Sequence, residues 1–168
     1  NGRLQSSDYV REYMDGGDRS KNILEVGCSW GYFLELAKIQ GANPFGLEIN
    51  AVRADYVNAQ LKIPCFQSLE ECEHKKNKFH KIFMFYSLEY IRAPKHYLGR
   101  LVDLLEKNGE IVILTPNVKD VLKDVWLNPG FQDFFYNESS IAYYSPQAIQ
   151  KLLLSIENIG RVSVATRQ

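Results

Sequence analysis

The segment Ile23-Leu24-Glu25-Val26-Gly27-Cys28-Ser29-Trp30-Gly31-Tyr32-Phe33 limits what this chain can fold into more than any other stretch. Asn22–Val26 is a short strand-like run that ends in a glycine turn, and helical spacing begins at about Gly31, with Phe33, Leu34 and Ala37 on one face and Gly41 as the stop signal. A buried strand passing through small residues straight into a helix is the first βα unit of a parallel sheet. Gly27 lets the backbone turn sharply, and Gly31 removes a side chain where the helix starts close to a ligand. The amides of that helix start attract an anion. Spacing decides which anion. A dinucleotide fingerprint G-x-G-x-x-G from Gly27 needs glycine at 29 and near 32, and this chain has Ser29 and Tyr32. The pattern present, E-x-G-x-x-x-G, suits an amino-acid carboxylate, which needs less close backbone approach than a pyrophosphate.

The remaining chain repeats the strand–helix alternation. Strands are predicted at Pro44–Ile49, Ile63–Phe66, Phe79–Tyr86 and Glu110–Thr115, and the nearly continuous apolar run 79–86 suits the centre of a sheet buried on both faces. Helices are predicted over Ala51–Leu61 and Pro94–Lys107, with Asn108-Gly109 closing the latter in the left-handed conformation. The charged stretch Ser68–Lys78 reads as a brief helix or loop. Ser145-Pro146 opens a last helix with Ala148, Ile149, Leu152, Leu153 and Ile156 as its buried stripe, and Arg161–Thr166 can supply one further strand. The expected fold is α/β: a Rossmann-like, doubly wound, mostly parallel sheet in three α/β/α layers, lacking a last antiparallel strand. Its ligand site belongs at the carboxyl ends of the strands, near the switch between the first and fourth, in the loops after Val26, Ile49, Phe66, Tyr86 and Pro116.

Length and charge narrow the partners. The chain has 168 residues, enough for one domain (1–168) with a substantial core, and its 45% apolar and 24% charged shares are those of a globular protein. Twenty basic and twenty acidic residues cancel, so nothing indicates a nucleic acid or an anionic membrane. No apolar run approaches the roughly 20 residues of a membrane span, and no signal-peptide pattern opens the chain. Cys28, Cys65 and Cys72 are odd in number and lack C-x-x-C spacing, which points away from zinc and a disulfide framework and toward a reducing cytoplasm. His74, His80 and His96 show no metal-ligand spacing and read as surface residues; no metal is expected. The chain opens at Asn1 and not at methionine, so the expectation is a processed or excised piece of a longer protein.

A second acidic signal lies about 20 residues beyond the first glycine turn. Gly46-Leu47-Glu48 ends the second strand with a carboxylate at the sheet edge where it can accept hydrogen bonds from both hydroxyls of a ribose. With this context the chain resembles the class I S-adenosylmethionine-dependent methyltransferases, the small-molecule group related to ubiquinone-biosynthesis and sugar methyltransferases. The resemblance covers nearly the whole chain: "ILEVGCSWGYFLELA" resembles the first motif, "FGLEIN" the second-strand acidic motif, "FHKIFMFYSLEYI" the fourth-strand segment, "LVDLLEKNGEIVILTPN" the helix, turn and fifth strand, and "YYSPQAIQKLLLSI" the final helix. It implies S-adenosylmethionine as cofactor, with Glu25, Gly27 and Gly31 at its methionine part, Glu48 at the ribose, Ser68 and Leu69 at the adenine, Tyr86 beside the sulfonium, and Cys28, Ser29 and Ile49 as further cofactor contacts.

The same resemblance makes Tyr86, Glu89 and Tyr143 the catalytic candidates, Glu89 matching the family's L-E glutamate. Five positions depart from the pattern: Ser29 replaces a frequent glycine, Ser68 an acidic residue, His80 an aspartate, and Tyr86 and Tyr90 stand where relatives often have histidine. The stretch 117–144, with Trp126, Phe131, Phe134, Phe135, Tyr136, Tyr143 and Tyr144, reads either as a lid over an acceptor pocket or as packing under an insertion. The expected reaction is transfer of a methyl group to a small-molecule acceptor by in-line displacement. The alternatives are a cofactor-binding or structural domain that performs no transfer, and a nicotinamide oxidoreductase, which the glycine spacing disfavours.

Overall fold

The computed structural model describes residues 2–119 and 139–166. In chain order these form α1 (Gly2–Tyr13), a 3-10 turn (Gly16–Asp18), β1 (Asn22–Val26), α2 (Tyr32–Ile39), β2 (Asn43–Leu47), α3 (Ala51–Ala59), β3 (Cys65–Phe66), α4 (Leu69–His74), β4 (Phe79–Phe85), a second 3-10 turn (Leu88–Tyr90), α5 (Pro94–Asp103), β5 (Leu105–Leu114) and α6 (Pro146–Leu154). The strands lie in the order β3-β2-β1-β4-β5 and run parallel. Winding thus proceeds outward from β1 in one direction and restarts from β4 in the other, which is the doubly wound Rossmann-like α/β fold.

The chain packs as two compact units, Asn1–Phe85 with Leu104–Ile113, and Tyr86–Asp103 with Leu114–Gln168. In the first, β1 pairs with β2 from Asn22↔Asn43 to Val26↔Leu47 and with β4 from Ile23↔Lys81 to Glu25↔Phe83. Ile23, Leu24, Phe79, Ile82, Phe83 and Met84 are fully buried, as a central parallel pair requires. Phe33, Leu34 and Ala37 are the buried face of α2, as their spacing predicts. The N-terminal helix α1 was not apparent from the sequence. It packs against α2, and Tyr9 stacks on Phe85 with ring centroids 4.3 Å apart. Below it, the 3-10 turn is fixed by a capping box between Asp15 and Asp18, and Lys81 of β4 donates to Asp18 at 3.0 Å, both side chains buried.

In the second unit α5 buries Leu98 and Leu101, and Ser145 Oγ caps α6 by accepting the Ala148 amide at 3.1 Å. A parallel bridge Asn117↔Tyr144, with the Val118 amide donating to Tyr144 O at 3.0 Å, ties the residues after β5 to those before α6.

Several sequence-based boundaries shift. The helix expected to reach Lys107 ends at Asp103, because the chain is drawn onto the free edge of β4: Phe79 N–H donates to Leu104 O and Tyr86 N–H to Leu114 O. Ten residues of β5 thus match seven of β4, and Asn108 (φ 64), not Gly109, takes the left-handed conformation. Gly109 is needed for space: a Cβ there would lie 3.0–3.1 Å from three carbonyl oxygens. Residues 161–166 form no strand, since no ladder joins them to a neighbour among the described residues. Ala148 is exposed, and on α6 and its end only Ile149 and Ile156 are fully buried. His80 is half-buried, 3.8 Å from carboxylate oxygens of Asp18 and Glu106, while His74 and His96 lie at the surface. Trp126, Phe131, Phe134, Phe135 and Tyr136 fall outside the described residues.

Candidate cofactor site

The turn after β1 is built by two glycines and one serine in the left-handed region. Gly27 (φ 78) reverses the chain while its amide and that of Cys28 both donate to Leu47 O, at 2.7 and 3.3 Å, locking the turn onto the end of β2. Ser29 follows at φ 51, a conformation that costs an L-residue about 1–2 kcal/mol. This is the position where the family pattern places glycine, so the backbone geometry is kept although the residue changes. Gly31 (φ 73) starts α2, and a Cβ there would stand 2.8 Å from Leu61 and 2.9 Å from Val57. Gly27 itself stays exposed, leaving the turn's upper side open.

Glu48 lies one residue past β2, buried at the edge where the sequence predicts a ribose contact. Its Oε2 accepts the Ser29 amide at 2.9 Å and its Oε1 the Asn50 amide at 2.8 Å. One carboxylate therefore joins the glycine turn to the start of α3. Each oxygen keeps a lone pair, since a carboxylate offers about four acceptor positions. Beside it the apolar side chain of Ile49 is 84% exposed. Trp30 is a rim residue, not a core anchor: it meets Tyr56 edge-on at 5.3 Å and lies 5.9 Å from the Arg53 guanidinium.

Glu25 is the most unusual group here. It is buried, its Oε2 has no hydrogen-bond partner among the described residues, and burial first, then Cys65 and Glu48, push its carboxyl well above the usual carboxylate range. A buried polar atom without a partner is destabilising by about 1–3 kcal/mol, so its retention at a ligand-facing turn needs a reason. A ligand cation supplies one, because it would replace the missing partner and favour the ionised form. Ser68 caps α4 by accepting the Glu71 amide at 3.2 Å, and Leu69 is buried in the core. Of the sequence-predicted residues, Glu25, Gly27, Cys28, Ser29, Gly31, Glu48 and Ile49 are thus gathered at the ends of β1 and β2, and Ser68 and Leu69 follow β3.

Tyr86, Glu89 and Tyr143 belong to the second unit. Tyr86 takes φ 50 at the end of β4 and is 41% exposed. Glu89 is buried; its carbonyl accepts the amides of Ile141 (2.8 Å) and Ala142 (3.2 Å), and its Oε2 accepts Thr115 Oγ1 at 3.4 Å. Burial raises its carboxyl, with hydrogen bonds from its own backbone and Thr115 opposing. Glu89 also bears on Tyr144, whose buried hydroxyl has no hydrogen-bond partner among the described residues and is pushed up by burial and then by the Glu89 charge; Tyr143, half-buried, lies in the same unit. Among the described residues no three His, Cys, Asp or Glu side chains could hold a metal, and no helix is long and apolar enough to cross a membrane.

The chain is thus a parallel Rossmann-like α/β domain with an acidic glycine turn after β1 and a carboxylate after β2. The chain belongs to the methyltransferase domain family, which matches residues 3–156. Solved structures of similar fold include a SAM-dependent methyltransferase from Archaeoglobus fulgidus (19% identity, TM-score 0.68, 90% of this chain and 67% of that one). The plantazolicin methyltransferase BpumL in complex with SAH is 17% identical, with TM-score 0.67 over 90% of this chain and 60% of that one. A possible histamine N-methyltransferase from Thermotoga maritima is 14% identical, with TM-score 0.67 over 90% and 68%. The chain spans 60% to 68% of the length of these three structures. No curated protein matches. Family and fold agree with the sequence-based expectation of a class I S-adenosylmethionine-dependent methyltransferase.

Proposed function

We propose that this chain, read as one methyltransferase domain over 1–168, binds S-adenosylmethionine at the carboxyl ends of β1 and β2 and transfers its methyl group to a small-molecule acceptor in the cytoplasm. The observation that carries the reading is the Glu48 carboxylate, buried yet left with free lone pairs beside the open Gly27 turn. When bound, the cofactor supplies a methyl group on a sulfonium, an already activated leaving group.

The chain's own residues then have three tasks. The Gly27–Gly31 turn and the start of α2 hold the methionine carboxylate, Glu25 takes the methionine ammonium, and Glu48 with Ile49 holds the ribose. Ser68 and Leu69 stand at the adenine, through backbone groups, because the Ser68 hydroxyl is engaged in its cap and Leu69 is buried. Acceptor-side roles fall to Tyr86, Glu89 and Tyr143 by family resemblance, with Glu89 and the orphan Tyr144 hydroxyl as the polar groups available in that unit. Alignment of reactants of this kind can supply about 7–11 kcal/mol of a displacement barrier.

Calorimetric titration of the chain with S-adenosylhomocysteine tests the reading. A single saturable site is expected, weakened by Glu48→Ala. Absence of binding of both S-adenosylhomocysteine and S-adenosylmethionine would overturn it. Binding without turnover across phenolic, amine and carboxylic acceptors would favour the non-catalytic alternative.

A further inference from the structure

Cys28 and Cys65 meet over a glycine. Cys28 lies in the turn after β1, Cys65 opens β3, and β2 passes between them with Gly46 in register with both Glu25 and Cys65. The two sulfurs are 3.7 Å apart, and both residues are buried. A Cβ on Gly46 would stand 2.7 Å from Cys28 Sγ and 2.9 Å from Cys65 Sγ, so the missing side chain is the space the sulfurs share. Cys72, buried in α4, makes no thiol contact among the described residues.

We propose that Cys28 and Cys65 are a modification site: hydrogen peroxide converts the pair to a disulfide that disables the cofactor turn, and thiols restore it. The effect on the cofactor rests on the function proposed above. In the first step the Cys65 sulfur attacks the peroxide; an S–O bond forms, the O–O bond breaks and water leaves, giving a sulfenic acid. In the second the Cys28 sulfur attacks that of Cys65; the S–S bond forms, the S–O bond breaks, and the sulfenic oxygen leaves as water with the Cys28 proton. Two electrons pass from the thiol pair to the peroxide, and two waters result.

The order of the two steps follows from the surroundings. Cys65 is the more open, 8% exposed against 4% for Cys28. Cys28 holds its proton: its hydrogen bond to Cys65, and then burial, push its thiol up. Closure needs the sulfurs to approach by roughly 1.7 Å, to a bond of about 2.0 Å. Cys65 cannot supply that movement easily, because its amide and carbonyl are both held by the Asn58 side chain, at 3.0 and 2.9 Å. Cys28 is the sulfur that moves, and it does so by giving up turn bonds, its amide to Leu47 O at 3.3 Å and the Gly31 amide to its own carbonyl at 2.8 Å, so closure distorts the turn itself. Drawing Cys28 across Gly46 pulls the Ser29 amide from Glu48, and with it the geometry that holds the cofactor.

Coupling between two events on one turn is reciprocal, so bound cofactor must resist disulfide formation to the extent that the disulfide weakens binding. The test treats the full chain with hydrogen peroxide and maps cysteines by mass spectrometry without reduction, while calorimetry reads S-adenosylhomocysteine affinity before, after, and after dithiothreitol. A Cys28–Cys65 linked peptide is expected, with affinity lowered about ten-fold or more and restored by dithiothreitol. Saturating S-adenosylhomocysteine should slow the linkage. Cys65→Ser should bind as the reduced chain does and ignore peroxide; Cys72→Ser should remain sensitive. Peroxide that leaves Cys28 and Cys65 unlinked, or a linked chain that binds as tightly as the reduced one, overturns the proposal. A reduced chain that never binds S-adenosylhomocysteine sinks the proposed function and the switch with it, while the peptide map still judges the thiol pair.

Discussion

Glu48 holds the Ser29 amide at 2.9 Å with one carboxylate oxygen and the Asn50 amide at 2.8 Å with the other. Ser29 belongs to the turn after β1 and Asn50 caps α3 by accepting the Arg53 amide at 3.1 Å, so a single side chain sets the distance between two ligand-facing loops. The same oxygens are those expected to receive the ribose hydroxyls. The structural role and the proposed binding role therefore fall on one residue.

Glu48→Ala leaves both amides without their acceptor. A loss of about 1–3 kcal/mol in stability is expected, together with a fall in S-adenosylhomocysteine affinity of about ten-fold or more. Glu48→Gln, which keeps one acceptor oxygen, should fall between. Thermal unfolding and calorimetry on the three proteins check this; unchanged affinity in Glu48→Ala would remove the ribose assignment.

Glu25 should make both stability and binding depend on pH, in opposite directions. Its folded carboxyl titrates well above an unfolded glutamate because of burial, so the native state binds a proton more tightly. The stabilisation is complete below the unfolded carboxylate range near pH 4.5 and is lost as pH rises toward the elevated folded value. A cofactor ammonium favours the ionised form, so affinity for S-adenosylhomocysteine should rise over the same interval. Glu25→Gln should flatten both profiles, which urea titrations and calorimetry from pH 5 to 9 will show.

Removing one partner of the Lys81–Asp18 pair should be costly. Their side chains are 8% and 1% exposed, so Lys81→Ala strands a buried carboxylate, with an expected loss of about 3–5 kcal/mol. Burial pulls the Lys81 ammonium down, but hydrogen bonds and charge from Asp18 and Asp15 outweigh it and the net shift is upward. The stability it confers is present below the ordinary lysine value and disappears as pH climbs through the folded one. Pairing Lys81→Met with Asp18→Leu should recover most of the loss in chemical denaturation.

Gly31→Ala should destabilise by about 2–4 kcal/mol, adding left-handed strain to collision with Leu61 and Val57. Gly16→Ala, where a Cβ meets nothing within 4 Å, should change stability by less than about 0.5 kcal/mol. Denaturant midpoints of the two variants make the comparison direct.

Amino-acid order alone determined the strand–turn–helix around Gly27, the acidic end of β2, the helices α2, α3 and α6 and the class of fold, because these depend on local periodicity and on glycine's conformational range. Where Pro94–Lys107 should end was not decided locally: Leu105 fits a helical stripe, and only the exposed edge of β4 turned it into a strand. Helix α1 escaped notice because its weakly apolar face acquires meaning only when Tyr9 finds Phe85, 76 positions away. Tertiary structure alone also revealed the orphan oxygen of Glu25, the bearing of the Glu89 charge on Tyr144, and the contact of two cysteines over Gly46. The physical reason is common to all of these. Periodicity records which face a residue turns inward, whereas burial, missing partners and contacts across strands depend on what the rest of the chain places opposite.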